Sequence, residues 1–235
     1  MKLPIFYYDN TSMTAIYTAS TEKMSARLPS GLLHPVEIYP GRCLAAVSAF
    51  EYRETDIGPY NEFSVATLVT RGKRGLPGLT ALSQLLRNEM HVYILTLPVD
   101  SELACRGGRD LSGYPKFLAD FEWSDHDRFS SCRISVNGKL LARMRGKKLP
   151  TSQGRVLHSV LYTRFNNYLL NANLYIDQRR FGQSFDRGSA EIEIGDGHEL
   201  CELLEDLKLG ARPIAYQYSP HSRAILFDSK NLMDQ

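Results

Sequence analysis

Gly108-Arg109-Asp110-Leu111-Ser112-Gly113-Tyr114-Pro115-Lys116 is the stretch from which the rest of the chain is read, because it puts one lysine just past a sterically fixed bend. Gly113 reaches backbone angles closed to other residues, and Pro115 fixes its own φ while biasing Tyr114 towards an extended conformation. The lysine is therefore aimed. Leu111, Tyr114, Pro115, Phe117 and Leu118 place apolar mass around it, a setting that disfavours the charged ammonium. A free lysine has a pKa of about 10.4, and bringing one down by about three pH units costs about 4 kcal/mol, which burial plus one neighbouring cation can supply. The neutral amine so obtained attacks carbonyl carbon.

These residues, in the pattern G-R-[DE]-x-x-G-Y-P-K, resemble the active-site signature of the acetoacetate decarboxylase family. The resemblance implies that Lys116 forms a Schiff base with a keto acid. Asp110 stands where the family usually has glutamate, and Phe117 stands where the founding decarboxylases carry a second lysine, the established example of an amine activated beside another cation. Burial or Arg109 then has to supply what that second charge does. Arg109 is also a candidate for binding a substrate carboxylate, set against simple pairing with Asp110 or Glu62. The segment Ile57-Gly58-Pro59-Tyr60-Asn61-Glu62 resembles the family's second active-site segment, and Glu62 is the residue carried over from it, to position substrate or relay protons. Taken alone, Glu62 reads as a solvated loop carboxylate. Tyr114 and Tyr60 are candidates for the pocket wall, with core packing as the alternative for both. The founding decarboxylases also carry an early arginine, whereas the first arginine here is Arg27, inside the next element.

A chain of 235 residues, 43% hydrophobic and 23% charged, fits one large globular domain over residues 1–235. A formal net charge of +2 and two short, separated basic clusters exclude a nucleic-acid footprint. The four cysteines lack ligand or C-x-x-C spacing, which argues against a zinc site and a dense disulfide framework, so they read as reduced, mostly buried thiols. No membrane partner is expected, since no apolar run approaches a membrane span of ~18 residues. Nothing at Met1 to Asn10 resembles a signal, so a cytoplasmic location is the expectation.

Along the chain, Ile5-Phe6-Tyr7-Tyr8 and Thr14-Ala15-Ile16-Tyr17 read as two short strands split by the turn-like Asp9 to Ser12. A short helix follows from Thr21, and His34 next to Pro35 reads as a structural histidine. Arg42 to Tyr52 is a strand buried on both faces, and Glu62 opens the next. Leu79 to Met90 has helical spacing with Leu82, Leu85 and Leu86 on one side. Tyr93 to Pro98 is a strand, and a helix capped by Asp100 or Ser101 runs towards Gly107. After the lysine come strands at 117–123, 130–136 and 139–144, the last two joined by the hairpin signal Asn137-Gly138. Strands at 168–175 and 190–194 follow, with Arg179, Arg180, Gly182 and Gly188 in loops. A leucine-rich helix at 198–210 then leads to strands at 212–218 and 224–227.

This order resembles the family from about residue 25 to 228. The fold expected is α+β: a curved antiparallel sheet closing into a barrel-like single domain with a few peripheral helices. The function expected is that of a cofactor-free lyase using a Schiff-base lysine on a small keto acid, by acetoacetate decarboxylase-like decarboxylation. The alternatives are Schiff-base aldol or dehydratase chemistry on a pyruvate-type substrate, or a non-catalytic small-molecule binder. The resemblance also implies a homo-oligomer.

Overall fold

Strand β1, Ile5–Ser20, passes straight through the residues expected to turn. Asp9 and Asn10 stay in the strand because their polar side chains find partners across it: the Asp9 carboxylate accepts from Arg53 Nη2 and from His221 Nδ1, each at 2.7 Å, and Asn10 Nδ2 donates to the Ser222 carbonyl at 3.0 Å. Register shifts near Asn10 absorb the irregularity. The expected split into two edge strands is thus replaced by one long central strand. The coordinates are a computed structural model that describes residues 2–29 and 31–232.

The chain continues through α1 (Thr21–Arg27), β2 (Leu33–Pro35), β3 (Glu37–Tyr39), β4 (Arg42–Thr55), β5 (Tyr60–Arg71), α2 (Leu79–Arg87), β6 (Glu89–Thr96) and α3 (Glu102–Ser112). Then come β7 (Asp120–Asp125), β8 (Phe129–Val136), β9 (Lys139–Lys147), β10 (Leu157–Phe165), β11 (Tyr168–Ser184), β12 (Ala190–Ile194), α4 (Glu199–Asp206), β13 (Ala215–Leu226) and β14 (Lys230–Asn231). Strands β5, β6, β10, β11, β13, β1 and β4 pair in that order, and β4 returns to β5, so the sheet closes into a seven-stranded barrel. The expected α+β barrel is what forms. Its pairing is antiparallel except where β6 meets β10, which run parallel. A second sheet, β12-β9-β8-β7, lies outside the ring. At its β8–β9 hairpin Asn137 and Gly138 both take positive φ, 51° and 76°, the geometry that tight hairpin turns demand.

Several local expectations change. The sequence reading assigned no strand at β10, although Val160, Leu161 and Tyr162 have strand character; β10 owes its place to its neighbours β6 and β11. Arg179, Arg180 and Gly182, expected in a loop, lie inside β11, where register shifts against β13 accommodate them. The two strands expected after residue 212 are one strand, β13, with Pro220 at its irregularity, where a missing N–H costs no ladder bond. On α2, Leu79, Leu82, Leu85 and Leu86 are exposed; the helix is held by Gln84, whose amide donates to the Val69 carbonyl and accepts from the His91 N–H, both at 3.0 Å. His34 meets the Gly72 carbonyl at 3.3 Å.

Strand alternation explains both the core and the hollow. Met13, Ala15 and Tyr17 of β1, Ala45, Val47 and Ala49 of β4, and Phe63 and Val65 of β5 face outwards, into the main core shared with Ile134, Leu141 and Met144 of the second sheet and with the leucines of α4. The intervening residues, Ser12, Thr14, Ala46, Ser48, Ser64 and Ala66, face inwards. Barrels of about eight strands are just wide enough for bulky side chains to fill. Here the inward residues at the middle of three adjacent strands are small, between larger ones at either end, so the interior stays open.

Candidate active site

The hollow is a lumen of about 460 Å³, and the lysine stands in it. How it gets there follows from the backbone. Helix α3 starts at Ser101, whose hydroxyl accepts from the Ala104 N–H at 3.3 Å, and it runs past Gly107, five residues further than expected, to Ser112. Gly113 ends it with φ 61°, its N–H bonded to the Arg109 carbonyl at 3.1 Å. A side chain there would meet Phe165 Cβ at 2.6 Å and the Arg164 carbonyl at 3.0 Å, so the bend requires glycine twice over. Past the bend the chain runs beside residues 97–99: the Leu97 N–H donates to the Pro115 carbonyl at 3.0 Å, and the Val99 N–H to the Phe117 carbonyl at 2.9 Å. Val99 also bridges to Glu62. The lysine segment is in this way stitched to the strand that carries the glutamate, which brings together residues 54 positions apart.

Lys116 Nζ donates to Glu62 Oε2 at 2.8 Å, with the two side chains only 7% and 10% exposed. The Tyr52 hydroxyl donates to Glu62 Oε1 at 3.1 Å. Tyr60 Oη donates to Tyr7 Oη at 3.3 Å, and the Lys116 nitrogen sits 5.6 Å from the Tyr60 ring centre and 5.9 Å from that of Tyr114. Burial, with Glu62 nearby, holds the phenols of Tyr7, Tyr52, Tyr60 and Tyr114 well above their ordinary pKa. All four stay neutral. The Tyr114 hydroxyl is buried and has no hydrogen-bond partner, an unusual state for a phenol inside a protein and one that a bound oxygen atom would relieve.

Each residue singled out in the sequence has a definite place. Lys116, Glu62 and Tyr114 line the lumen together. Tyr60 is 4% exposed but sits beneath the floor, packed with Ile5, Tyr7, Val99, Ala104 and Cys105, so it backs the lysine and does not face the cavity. Arg109 corrects the expectation further: it lies on the exposed side of α3, away from the lumen, and forms no ion pair among the described residues. It is not among the residues that line this cavity, because the helix that carries it presents Gly108 to the lysine instead. Leu111 and Leu118, expected around the amine, are 48% and 46% exposed; the apolar contacts come from Leu97, Ile94 and Tyr114. Phe117 points the other way, its ring 5.0 Å from that of His198.

Three residues of the site went unread in the sequence. Tyr7 and Tyr52 line the lumen; for Tyr52 the signal is the strand period that it shares with Phe50, which lies directly opposite Glu62. Gly108 is the third. A Cβ at that position would meet Lys116 Cδ and Cε at 2.8 Å, so the lysine side chain crosses the helix where no side chain stands.

The comparisons with known proteins agree with this architecture. The model of the family described as acetoacetate decarboxylase matches residues 1–171. No curated protein matches. Among solved structures, one of an acetoacetate decarboxylase superposes with a TM-score of 0.69 at 14% identity, covering 99% of this chain and 90% of that one. The acetoacetate decarboxylase of Legionella pneumophila gives 0.68 at 13% identity, covering 97% and 87%. The enduracididine biosynthesis enzyme MppR, solved complexed with pyruvate, gives 0.70 at 12% identity, covering 99% and 91%. At such identities these likenesses speak for the fold.

Proposed function

Since the chain belongs to the acetoacetate decarboxylase family, we propose that it is a lyase in which Lys116 forms a Schiff base with a keto acid and Glu62 carries the protons. One observation carries this reading: the Lys116–Glu62 pair is held at 2.8 Å inside a wide lumen, not on the surface and not in solid core.

Glu62 takes a proton from the Lys116 ammonium, and the freed amine adds to the substrate ketone. Loss of water from the carbinolamine leaves an iminium. With a 3-oxo acid, the bond to the carboxylate then breaks, its electron pair moves to the iminium nitrogen, and carbon dioxide departs. The proton that Glu62 took leaves with the water lost from the carbinolamine, so Glu62 regains one from solvent; kept oriented by Tyr52, it then protonates the enamine at carbon, and water hydrolyses the new iminium to release the ketone and the amine. The apolar wall of Ile94 and Leu97 favours the step, because a carboxylate stripped of water loses its charge readily to a neutral gas. Tyr114 offers its unpartnered hydroxyl to a substrate oxygen.

A second reading is aldol or dehydration chemistry on a pyruvate-type keto acid. It is favoured by the direction of Phe117, which leaves no second cation beside the amine, and by the Glu62–Tyr52 pair, which suits proton transfer at carbon. MppR, with its pyruvate complex, is a relative of the same shape.

Borohydride reduction in the presence of acetoacetate or pyruvate tests the proposal. The expected result is a permanent mass increase on the peptide holding Lys116, absent in Lys116→Ala while that variant keeps the wild-type melting temperature. No adduct across a panel of keto acids would turn the protein into a binder, and full turnover by Lys116→Ala would end the lyase reading. Release of carbon dioxide against formation of a condensed product separates the two chemistries.

A further inference from the structure

The lumen is far larger than acetoacetate requires. At about 30 Å³ for each water-sized group, its volume of about 460 Å³ holds roughly fifteen non-hydrogen atoms, and acetoacetate supplies about half of that. It is also long. Along β10 and the segment that leads into it, it runs from Leu161, packed against the Tyr114 and Leu97 cluster beside the lysine, past Ser159 and Leu157 to Arg155; the six residue steps span at most roughly 20 Å at about 3.3 Å each. On β13 it runs from Ala224, opposite Tyr7 at the floor, to Gln217, seven residues away.

The chemistry changes along this length. Above the amine the wall made by β6 and β10 is mostly apolar, with Met90, Val92, Ile94, Leu157 and Leu161. Towards the far end Gln217 Nε2 lies 3.5 Å from Gln183 Oε1, and Gln178 and Arg155 also stand among the lining residues. The Gly154 N–H donates to the Gln178 carbonyl at 2.8 Å, which fixes the segment carrying Arg155 against β11. The Arg155 guanidinium is exposed and has no ion pair among the described residues, although an isolated arginine is the side chain best matched to a carboxylate. A short keto acid held by Lys116 leaves this end untouched.

We propose that the lumen is built for an elongated keto acid whose reacting carbonyl meets Lys116, whose apolar body lies along β6 and β10, and whose distal end carries a second carboxylate bound by Arg155 and the glutamines. This rests on the Schiff-base reading for the role of the lysine, and it names the class of substrate that reading leaves open. After decarboxylation such an acid becomes a methyl ketone with a carboxylate at its other end, a stable compound suited to binding experiments.

Calorimetric binding of levulinate, 7-oxooctanoate and 9-oxodecanoate to the wild-type protein, each followed by borohydride reduction and mass analysis, tests the two ideas separately. The expected result is that one of the longer acids binds at least about tenfold more tightly than levulinate, and that Arg155→Gln removes about tenfold of that affinity while leaving neutral 2-octanone unchanged. Levulinate binding as tightly as the longer acids overturns the elongated substrate. Equal losses for 7-oxooctanoate and 2-octanone in Arg155→Gln, or no loss at all, overturn the carboxylate end. Length-dependent binding without a reduced adduct leaves the inference standing and removes the Schiff base; an adduct without length dependence does the reverse.

Discussion

Replacing Gly108 by alanine separates what holds the protein together from what the proposed chemistry needs. The position is inside α3, where φ is ordinary, so alanine gains about 0.5–1 kcal/mol of helix stability over glycine. The new Cβ would stand 2.8 Å from Lys116 Cδ and Cε, against an ordinary carbon–carbon contact of about 3.5–4.0 Å, so the lysine stem has to move by about 1 Å. The stem is the flexible part of a long side chain, and forcing it off its preferred rotamer costs about 0.5–1.5 kcal/mol. The two terms nearly cancel, and the melting temperature is expected to stay within about 4 °C, since about 1 kcal/mol moves a domain of this size by roughly 2–4 °C. The reaction is another matter. A misplacement of about 1 Å at a reacting atom costs about 100-fold in rate, equivalent to about 2.7 kcal/mol in the barrier. The assay is the rate of borohydride-trapped adduct formation on Lys116 together with thermal unfolding of the same sample. Wild-type adduct formation in Gly108→Ala would refute the idea that the gap at Gly108 aims the amine, and a loss of stability well beyond 4 °C would show that the side chain could not yield.

Glu62→Gln keeps the shape of the side chain but cannot hold or pass a proton; turnover is expected to fall more than about tenfold, within the range that general acid–base groups contribute, and an unchanged rate would leave Glu62 as a structural partner of the lysine. The Asp9 carboxyl is held down to about 2 by its hydrogen bonds to Arg53, with His221 adding to the effect. Its folded-state value lies below the unfolded one of about 3.9, so its contribution to stability is complete above that value and is lost as the pH falls through about 2. Acid unfolding followed by circular dichroism should therefore show Asp9→Asn less stable than wild type at pH 6, with the gap closing towards pH 2; a constant gap would contradict the linkage.

The parts that could be read in advance are those in which one residue or one short pattern decides the backbone. Gly113 and Pro115 make a bend wherever they stand together, Asn137-Gly138 makes a tight hairpin, and the leucines of α4 recur every three to four residues as a buried helix face must. Polar residues misled where their partners are distant in sequence. Asp9 and Asn10 look like a turn until Arg53, His221 and Ser222 are alongside, and Arg180 looks like a loop residue until β13 is paired to it. Tyr60 and Arg109 were named for their nearness to key residues in the string, yet one lies beneath the floor and the other outside the wall.

The sequence by itself determined that a lysine follows a rigid bend and that a carboxylate opens a strand ahead of it. These are local properties, fixed by covalent geometry and by a side-chain period of two residues. Only the tertiary structure decided that the lysine and the carboxylate touch, that the small residues of three neighbouring strands line one side of a hollow, and that an arginine on β10's approach rather than the one beside the lysine shares that hollow. Barrel closure sets these distances, and closure depends on the register of seven strands at once, which no single stretch of the chain contains.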